Sequence, residues 1–328
     1  MKTGLAKIDG VAAVCSLLAG LLCSGAGPAA AEPASTAAAP QGRSPTVTMA
    51  DLCGTCEVQK FVHCGDFLEG PAFDDSGNLY VVSINSGYIE KVTPDAKCSH
   101  FANTGGQPQG LKLHDGKLYG VDRKKGVFTV DLKTGKVSEY VQYYDNQNFK
   151  GPNDLIVDET GGIYFTDLWG TSPLNQHGAV YYISPPPQKR ITRLIDNMAF
   201  PNGIALSPDN KTLYIDDFSN QRVIAVPILA PGDLEIGFAH VMAYVDGGWG
   251  VDSMCVDAKG DVYAAHYMAG EVVVLDPNGF IIGTIKIAPK GGLETTNCAF
   301  HGGYLYITEA AQNDVWRVKM NVAGAKLN

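Results

Sequence analysis

One pattern recurs six times along the chain: an aliphatic residue followed by tyrosine, at Leu79-Tyr80, Leu118-Tyr119, Ile163-Tyr164, Leu213-Tyr214, Val262-Tyr263 and Leu305-Tyr306. Successive tyrosines are 39, 45, 50, 49 and 43 residues apart. A period of this size, with several short strands per unit, predicts an all-β chain folded as a six-bladed β-propeller.

The repeat also aligns the units with one another. Stepping back from each tyrosine to the start of the preceding strand gives segments that begin Glu69-Gly-Pro, Gln109-Gly-Leu, Asn153-Asp-Leu, Asn202-Gly-Ile, Asp252-Ser-Met and Thr296-Asn-Cys. The innermost strand of each propeller blade lines the central channel, so equivalent positions on six such strands form a ring. Here the ring is Glu69, Gln109, Asn153, Asn202, Asp252 and Thr296. Every member offers oxygen, and two are carboxylates. Hard cations such as calcium take six to eight oxygen ligands. The ring contains no histidine or cysteine, which argues against a zinc or copper centre.

Many propeller channels are polar only because they hold water. Two acids converging with no basic partner in the ring, however, would repel in a confined space. That repulsion raises one pKa or calls for a counter-ion, and a divalent cation supplies it.

Six units of this length take nearly all of the 328 residues, so one folded domain is expected over 51–328, and 38 glycines suit a turn-rich all-β chain. The net charge is −9, and no basic patch is visible, which makes a nucleic-acid partner unlikely on charge grounds. Residues 1–31 read as a signal peptide: Lys2 and Lys7, an apolar run over 11–22, and the small residues Ala29, Ala30 and Ala31 for cleavage. The apolar run is short for a membrane span. An exported protein, periplasmic or secreted, without a stable span after cleavage is therefore expected. Residues 32–50, rich in alanine, proline, serine and threonine, read as a flexible linker.

Export permits disulfides. Cys53, Cys56, Cys64 and Cys98 cluster around the first unit, and their three possible pairings stay open at this level. A redox-active Cys53-Gly-Thr-Cys56 and a zinc site using Cys64 with His63 are the functional alternatives. Cys255 and Cys298 fall on innermost strands, where buried thiols are expected. The sixth unit lacks an outer strand, and residues 58–64 have the strand character to supply it from the front, closing the ring without an open edge. The tail after Met320 is expected to pack loosely.

The segments Leu68-Glu-Gly-Pro-Ala-Phe, Gly151-Pro-Asn-Asp-Leu, Tyr164-Phe-Thr-Asp, Phe200-Pro-Asn-Gly-Ile-Ala-Leu-Ser and Val251-Asp-Ser-Met-Cys-Val-Asp, in this order and spacing, resemble the SMP-30/gluconolactonase/LRE family, most of all its bacterial lactonase branch. The resemblance covers roughly residues 58–319. It implies a six-bladed propeller with a catalytic divalent metal in the tunnel, usually Ca2+, with Zn2+, Mg2+ or Mn2+ as other occupants. By motif, the metal ligands fall on Glu69, Asn153, Asn202 and Asp252, all members of the ring found above. Asp154 matches a carboxylate beside the metal. Ser253, where the family usually has glycine, and Gly70 before Pro71 are departures.

The implied activity is hydrolysis of a lactone or other ester, a small-molecule substrate. The metal would polarise the carbonyl while Asp154, with Asp252 as the second catalytic carboxylate, handles protons. Gln109, Thr296, His266 and Trp169 are the candidate substrate contacts, and loop 168–178 is a candidate rim or lid. His266 occupies the position held in other units by Ser83, Asp122, Asp167, Asp217 and Glu309, so a structural role tying blades together competes with that reading. The alternatives are a phosphotriesterase-like hydrolase, a strictosidine-synthase-like condensation, and a secreted binding propeller with purely structural calcium.

Overall fold

The computed structural model describes residues 46–168 and 170–326. The expected export signal and most of the expected linker lie outside them. From Leu68 onward the chain forms six antiparallel blade sheets in sequence order, with a two-stranded hairpin, Tyr143–Tyr144 and Gln147–Asn148, between the second and third. The first blade is Leu68–Phe73, Leu79–Ser83, Tyr88–Val92 and Cys98–Asn103, and the second begins with Pro108–His114 and Lys117–Asp122. The third begins with Pro152–Val157 and Ile163–Asp167, the fourth with Pro201–Leu206 and Thr212–Asp217. The fifth begins with Gly250–Val256 and Val262–Tyr267, the sixth with Thr295–His301 and Tyr304–Glu309. Each inner strand neighbours the inner strands of the blades before and after it, and the last meets the first, so the six close on a common axis.

Closure takes the expected form. Val58–His63 pairs antiparallel with Asp314–Lys319 and becomes the outer strand of the sixth blade. Both chain ends are thus locked into one sheet, and no strand edge is left between first and last blade.

The repeated tyrosine lies on the second strand of every blade and is buried in all six. Its position is explained by burial of a large ring with a polar tip that needs a partner. Tyr80 donates its hydroxyl to Asp74 at 3.1 Å and Tyr263 to Asp257 at 3.2 Å. Those aspartates also accept from backbone N–H groups of the hairpin turn, Asp74 from Ser76 and Asn78, Asp257 from Lys259 and Asp261. One carboxylate therefore closes the turn and anchors the ring.

The ends differ from expectation in two places. A short helix, Met49–Cys53, is capped by Thr48 and Asp51, so defined structure begins just inside the segment read as a linker. The tail after Met320 does not lie loose. Ala258 N donates to Ala323 O, Ala325 N donates to Val256 O, and Gly324 bridges Asp257, laying the tail along the fifth blade. Backbone hydrogen bonding that a short-range sequence reading cannot see fixes it.

Three cysteine pairs stand at disulfide-bonding distance: Cys53 with Cys56, Cys64 with Cys98, and Cys255 with Cys298. The last corrects the expectation of two separate buried thiols, because neighbouring inner strands bring their α-carbons to 5.7 Å. His63 hydrogen-bonds Asp314 rather than joining Cys64 in a metal site.

Candidate metal centre in the propeller tunnel

A register shift interrupts every inner strand at its ring position. It falls between Glu69 and Ala72, Pro108 and Leu111, Pro152 and Leu155, Pro201 and Ile204, Val251 and Met254, and Thr295 and Asn297. Such bulges unpair a residue and re-aim its side chain, which is why they recur beside functional sites. Glycine supplies the space. At Gly70, with φ +55°, a Cβ would overlap the Gln109 carbonyl, and at Gly110 it would occupy the place of the Asp154 carboxylate.

Five of the six expected ring members gather in this zone, and each is at least nine-tenths buried. Asn202 donates from Nδ2 to Asp252 Oδ1 at 2.5 Å, and Asn153 donates from Nδ2 to Gln109 Oε1 at 3.3 Å. Gln109 itself donates to the Pro108 carbonyl, so its amide is held by its own strand. The sixth, Thr296, departs. Its hydroxyl donates to the Leu68 carbonyl at 2.8 Å, a link from last blade to first. The bulge shifts the sixth blade's contribution by one residue, and Asn297 takes the place: its Nδ2 donates to Glu69 Oε2 at 2.9 Å.

Asp154 sits beside the ring. Ser253 donates to its Oδ2 at 2.7 Å, Leu155 N to its Oδ1 at 2.8 Å, and Lys112 Nζ stands 3.7 Å from Oδ1. The serine that departs from the usual glycine is thus the partner of this aspartate. Asp216, which the repeat alignment did not single out, lies behind Asn202, accepting from Gly203 N.

These acids strain against one another. Burial first, and then Asp154, push the Glu69 carboxyl up to about 7, against the lowering effect of its Asn297 and Gly70 donors. Burial and then Glu69 raise Asp252 well above the usual carboxylate range, and burial and then Asp252 do the same to Asp216. The acids are not without basic neighbours, as the ring alone had implied. Arg123, whose backbone N–H donates to Gln107 O, acts on Asp252 and Glu69, and Lys112 acts on Glu69.

The donor set fits a hard divalent cation. Glu69 Oε1 and Asn202 Oδ1 are buried oxygens with no hydrogen-bond partner, an arrangement that costs free energy unless something positive meets them. Carboxylates alone do not complete a cage. Among the described residues, the one set of three acid, histidine or cysteine ligand atoms within 4.8 Å of one another is Cys64, Glu90 and Cys98, and those sulfurs are paired with each other. A cation in the tunnel would draw on amide oxygens of Asn153 and Asn202 as well, which is calcium's habit rather than zinc's.

The remaining candidates lie elsewhere. His266 is buried, with Nε2 2.8 Å from Gly247 O and Nδ1 3.4 Å from Glu271 Oε1. Its equivalents do the same work: Asp167 accepts from Gly151 N, Asp217 from Phe200 N and Glu309 from Glu294 N. Each ties the end of a second strand to the segment that delivers the chain into that blade. In His266 both ring nitrogens are engaged in this tie. Trp169 lies outside the described residues. In loop 168–178, Thr171 is buried and Leu174 is fully exposed.

Among the described residues no helix is long and apolar enough to cross a membrane. The closed inner ring recurs in solved structures. A gluconolactonase of Xanthomonas campestris superposes with a TM-score of 0.73 at 24% identity, covering 83% of this chain and 91% of that one. Regucalcin of Agrobacterium tumefaciens, described as a calcium-binding protein, does so with a TM-score of 0.68 at 22% identity, covering 81% and 97%. At these identities the likeness is one of fold. In sequence, lactonase drp35 of Staphylococcus saprophyticus is 35% identical over 248 residues, 72% of this chain and 75% of the relative. Residues 67–311 match the SMP-30/Gluconolactonase/LRE-like region, and the chain belongs to that family.

Proposed function

We propose that this protein is an exported hydrolase that opens the ring of a lactone, using a divalent cation, calcium foremost, held in the tunnel by Glu69, Asn153, Asn202 and Asp252. The observation that carries the reading is the pair of unpartnered buried oxygens on Glu69 and Asn202, set among Asp154 and Asp252 in a chain whose sequence relatives are lactonases. Bound there, such a cation supplies Lewis-acid polarisation of an ester carbonyl and stabilisation of the negative charge that develops as water adds.

The chain's own groups divide the remaining work. Asp252 is the more exposed acid, at 9% against 1% for Asp154. Burial and then Glu69 raise its carboxyl, which suits a group that takes a proton from water and returns it to the leaving alkoxide. Asp154 has both oxygens engaged by Leu155, Lys112 and Ser253, so it serves better as a fixed negative charge beside the site than as the base. Asn202 fixes the Asp252 carboxylate, and Asn297 fixes that of Glu69. Arg123 acts electrostatically on Asp252 and Glu69.

Residues 1–31 would leave as an export signal, residues after them would tether the propeller, and the three cysteine pairs would be oxidised outside the cytoplasm. The test is hydrolysis of a panel of lactones by the mature protein, with calcium and after chelation, beside Asp252→Ala. Calcium-dependent cleavage lost in the variant supports the lactonase. Calcium binding without cleavage of any lactone or ester points to a binding propeller, and cleavage of phosphotriesters alone points to that hydrolase class.

A further inference from the structure

Cys255 and Cys298 join two inner strands that share no backbone hydrogen-bond ladder, since each strand pairs only within its own blade. Cys255 lies three residues beyond Asp252 on Gly250–Val256, and Cys298 directly follows Asn297 on Thr295–His301. Strands are stiff over such distances, about 3.3 Å per residue, so a link at one point fixes the other. Cys298 N donates to Asn297 Oδ1 at 2.7 Å, orienting the amide whose Nδ2 holds Glu69. The linkage therefore runs from Asp252 on the fifth blade through two sulfurs to Asn297 on the sixth, and from there to Glu69 on the first.

Its location answers a specific need. Glu69 and Asp252 repel each other, each standing in a buried place where charge is poorly screened. Below them lies a cavity of about 130 Å³, lined by Met254, Cys255, Cys298 and Phe300 and bordered by Gly324 of the tail. Apolar packing between the two blades, with Val272, Ile285, Leu305 and Trp316 in one buried cluster, involves strands outside the inner pair, and the sulfur link is the covalent tie on the inner strands themselves. The other two pairs have no such place. Cys64 with Cys98 joins the end of Val58–His63 to the outer strand of the first blade, at the perimeter, and Cys53 with Cys56 closes the short helix.

We infer that the Cys255–Cys298 bond is a positioning element for the cation site, holding Asp252 and the Asn297–Glu69 pair at binding distance against their mutual repulsion. This rests on the reading that the tunnel takes a divalent cation. The experiment is titration calorimetry of the metal-free mature protein with calcium chloride, alongside thermal melts. It compares wild type, Cys255→Ser with Cys298→Ser, and Cys64→Ser with Cys98→Ser. Loss of the inner pair is expected to weaken calcium binding about tenfold, the lower end for groups that orient metal ligands. Loss of the perimeter pair is expected to lower the melting temperature and leave calcium affinity unchanged. Should the serine pair not fold, Cys255→Ala with Cys298→Val keeps the site apolar and repeats the test. Equal calcium affinity in wild type and the inner-pair variant overturns the inference, as does failure of both inner-pair variants to fold. Absence of calcium binding in wild type overturns it together with the metal reading, whereas weakened binding with no lactone cleavage leaves it standing while the lactonase reading falls.

Discussion

Asn297 and Glu69, 228 residues apart, meet through an amide-to-carboxylate hydrogen bond of 2.9 Å that spans the closure between the last blade and the first. Closing the propeller and building the tunnel site are thus one event: Glu69, which already accepts from Gly70 N on its own strand, acquires its side-chain donor only when the ring is complete.

Asn297→Ala should separate the two consequences. A hydrogen bond to a charged group contributes about 1.5–3 kcal/mol, and its loss leaves Glu69 less able to hold negative charge. Calcium affinity is expected to fall by about tenfold or more, and with Asn297→Asp to fall less, because the added carboxylate attracts the cation even as Glu69 loses its donor. Calorimetry with calcium reads both; unchanged affinity in the alanine variant would show that the amide is irrelevant to the site.

The acids also predict how stability depends on pH. Burial and then Asp154 push Glu69 up to about 7 from an ordinary 4.5, and Asp252 and Asp216 are raised as well. A carboxyl raised in the native state binds its proton more tightly there than in the unfolded chain. Its stabilising contribution is complete below the unfolded pKa and disappears as pH climbs through the folded one. Metal-free protein should therefore lose melting temperature between about pH 4.5 and 7, and saturating calcium should flatten that slope by replacing the protons. A melt series in both states checks it, and parallel slopes would count against the carboxylate cluster as the cause.

Ser253 gives a sharper test of Asp154. Its hydroxyl lies 2.7 Å from Oδ2 in a fully buried setting, so Ser253→Ala removes one donor and little else. We expect a stability loss of about 1.5–3 kcal/mol and a larger proportional fall in kcat than in substrate binding. Ser253→Thr should retain part of the activity if its methyl group is tolerated. Equal effects of the two substitutions on kcat would remove the hydroxyl from the argument.

How much of this was legible in the chain depends on the range of the signal. The repeated tyrosines announced the propeller because each blade solves the same local burial problem, and residues 58–64 announced the closure because a unit was visibly short of a strand. Five ring members followed from the repeat. Thr296 did not, because a bulge moves the inward position to Asn297, and bulges leave no mark in a two-residue alternation. Arg123, Lys112 and Asp216 were missed for a different reason: they reach the tunnel from neighbouring strand positions, so their proximity is a product of blade packing. Cys255 and Cys298 carried the right residue type, but only the approach of two inner strands makes them partners.

Arg123 bears directly on the electrostatics of the site. Its positive charge acts on Asp252 and Glu69, which favours their ionised forms but opposes an incoming cation. At an effective dielectric near 20, interactions of this kind amount to a few kcal/mol at contact and less at longer range. Arg123→Gln should therefore tighten calcium binding a few-fold while reducing turnover, with the larger loss for lactones that carry an additional carboxylate. Weaker calcium binding in the variant would mean that the guanidinium organises the ligands rather than repelling the ion.

His266 should behave in the opposite way to the tunnel residues. It is an imidazole in a position that four other blades fill with acids, and it is bonded at Nε2 to Gly247 O at 2.8 Å. That carbonyl belongs to the segment leading into the strand that carries Asp252. His266→Ala removes the shorter of two side-chain hydrogen bonds to the Gly247 carbonyl, the other coming from Gln221 Nε2 at 3.4 Å, and opens a void next to Gly248, which approaches the ring closely. We expect a lower melting temperature, by an amount corresponding to roughly 2–3 kcal/mol, with calcium affinity altered little in the protein that remains folded. His266→Gln, which restores a donor of similar reach, should recover much of the stability. If instead His266→Ala abolished hydrolysis at full stability and unchanged calcium affinity, the imidazole would have to be returned to the reaction itself.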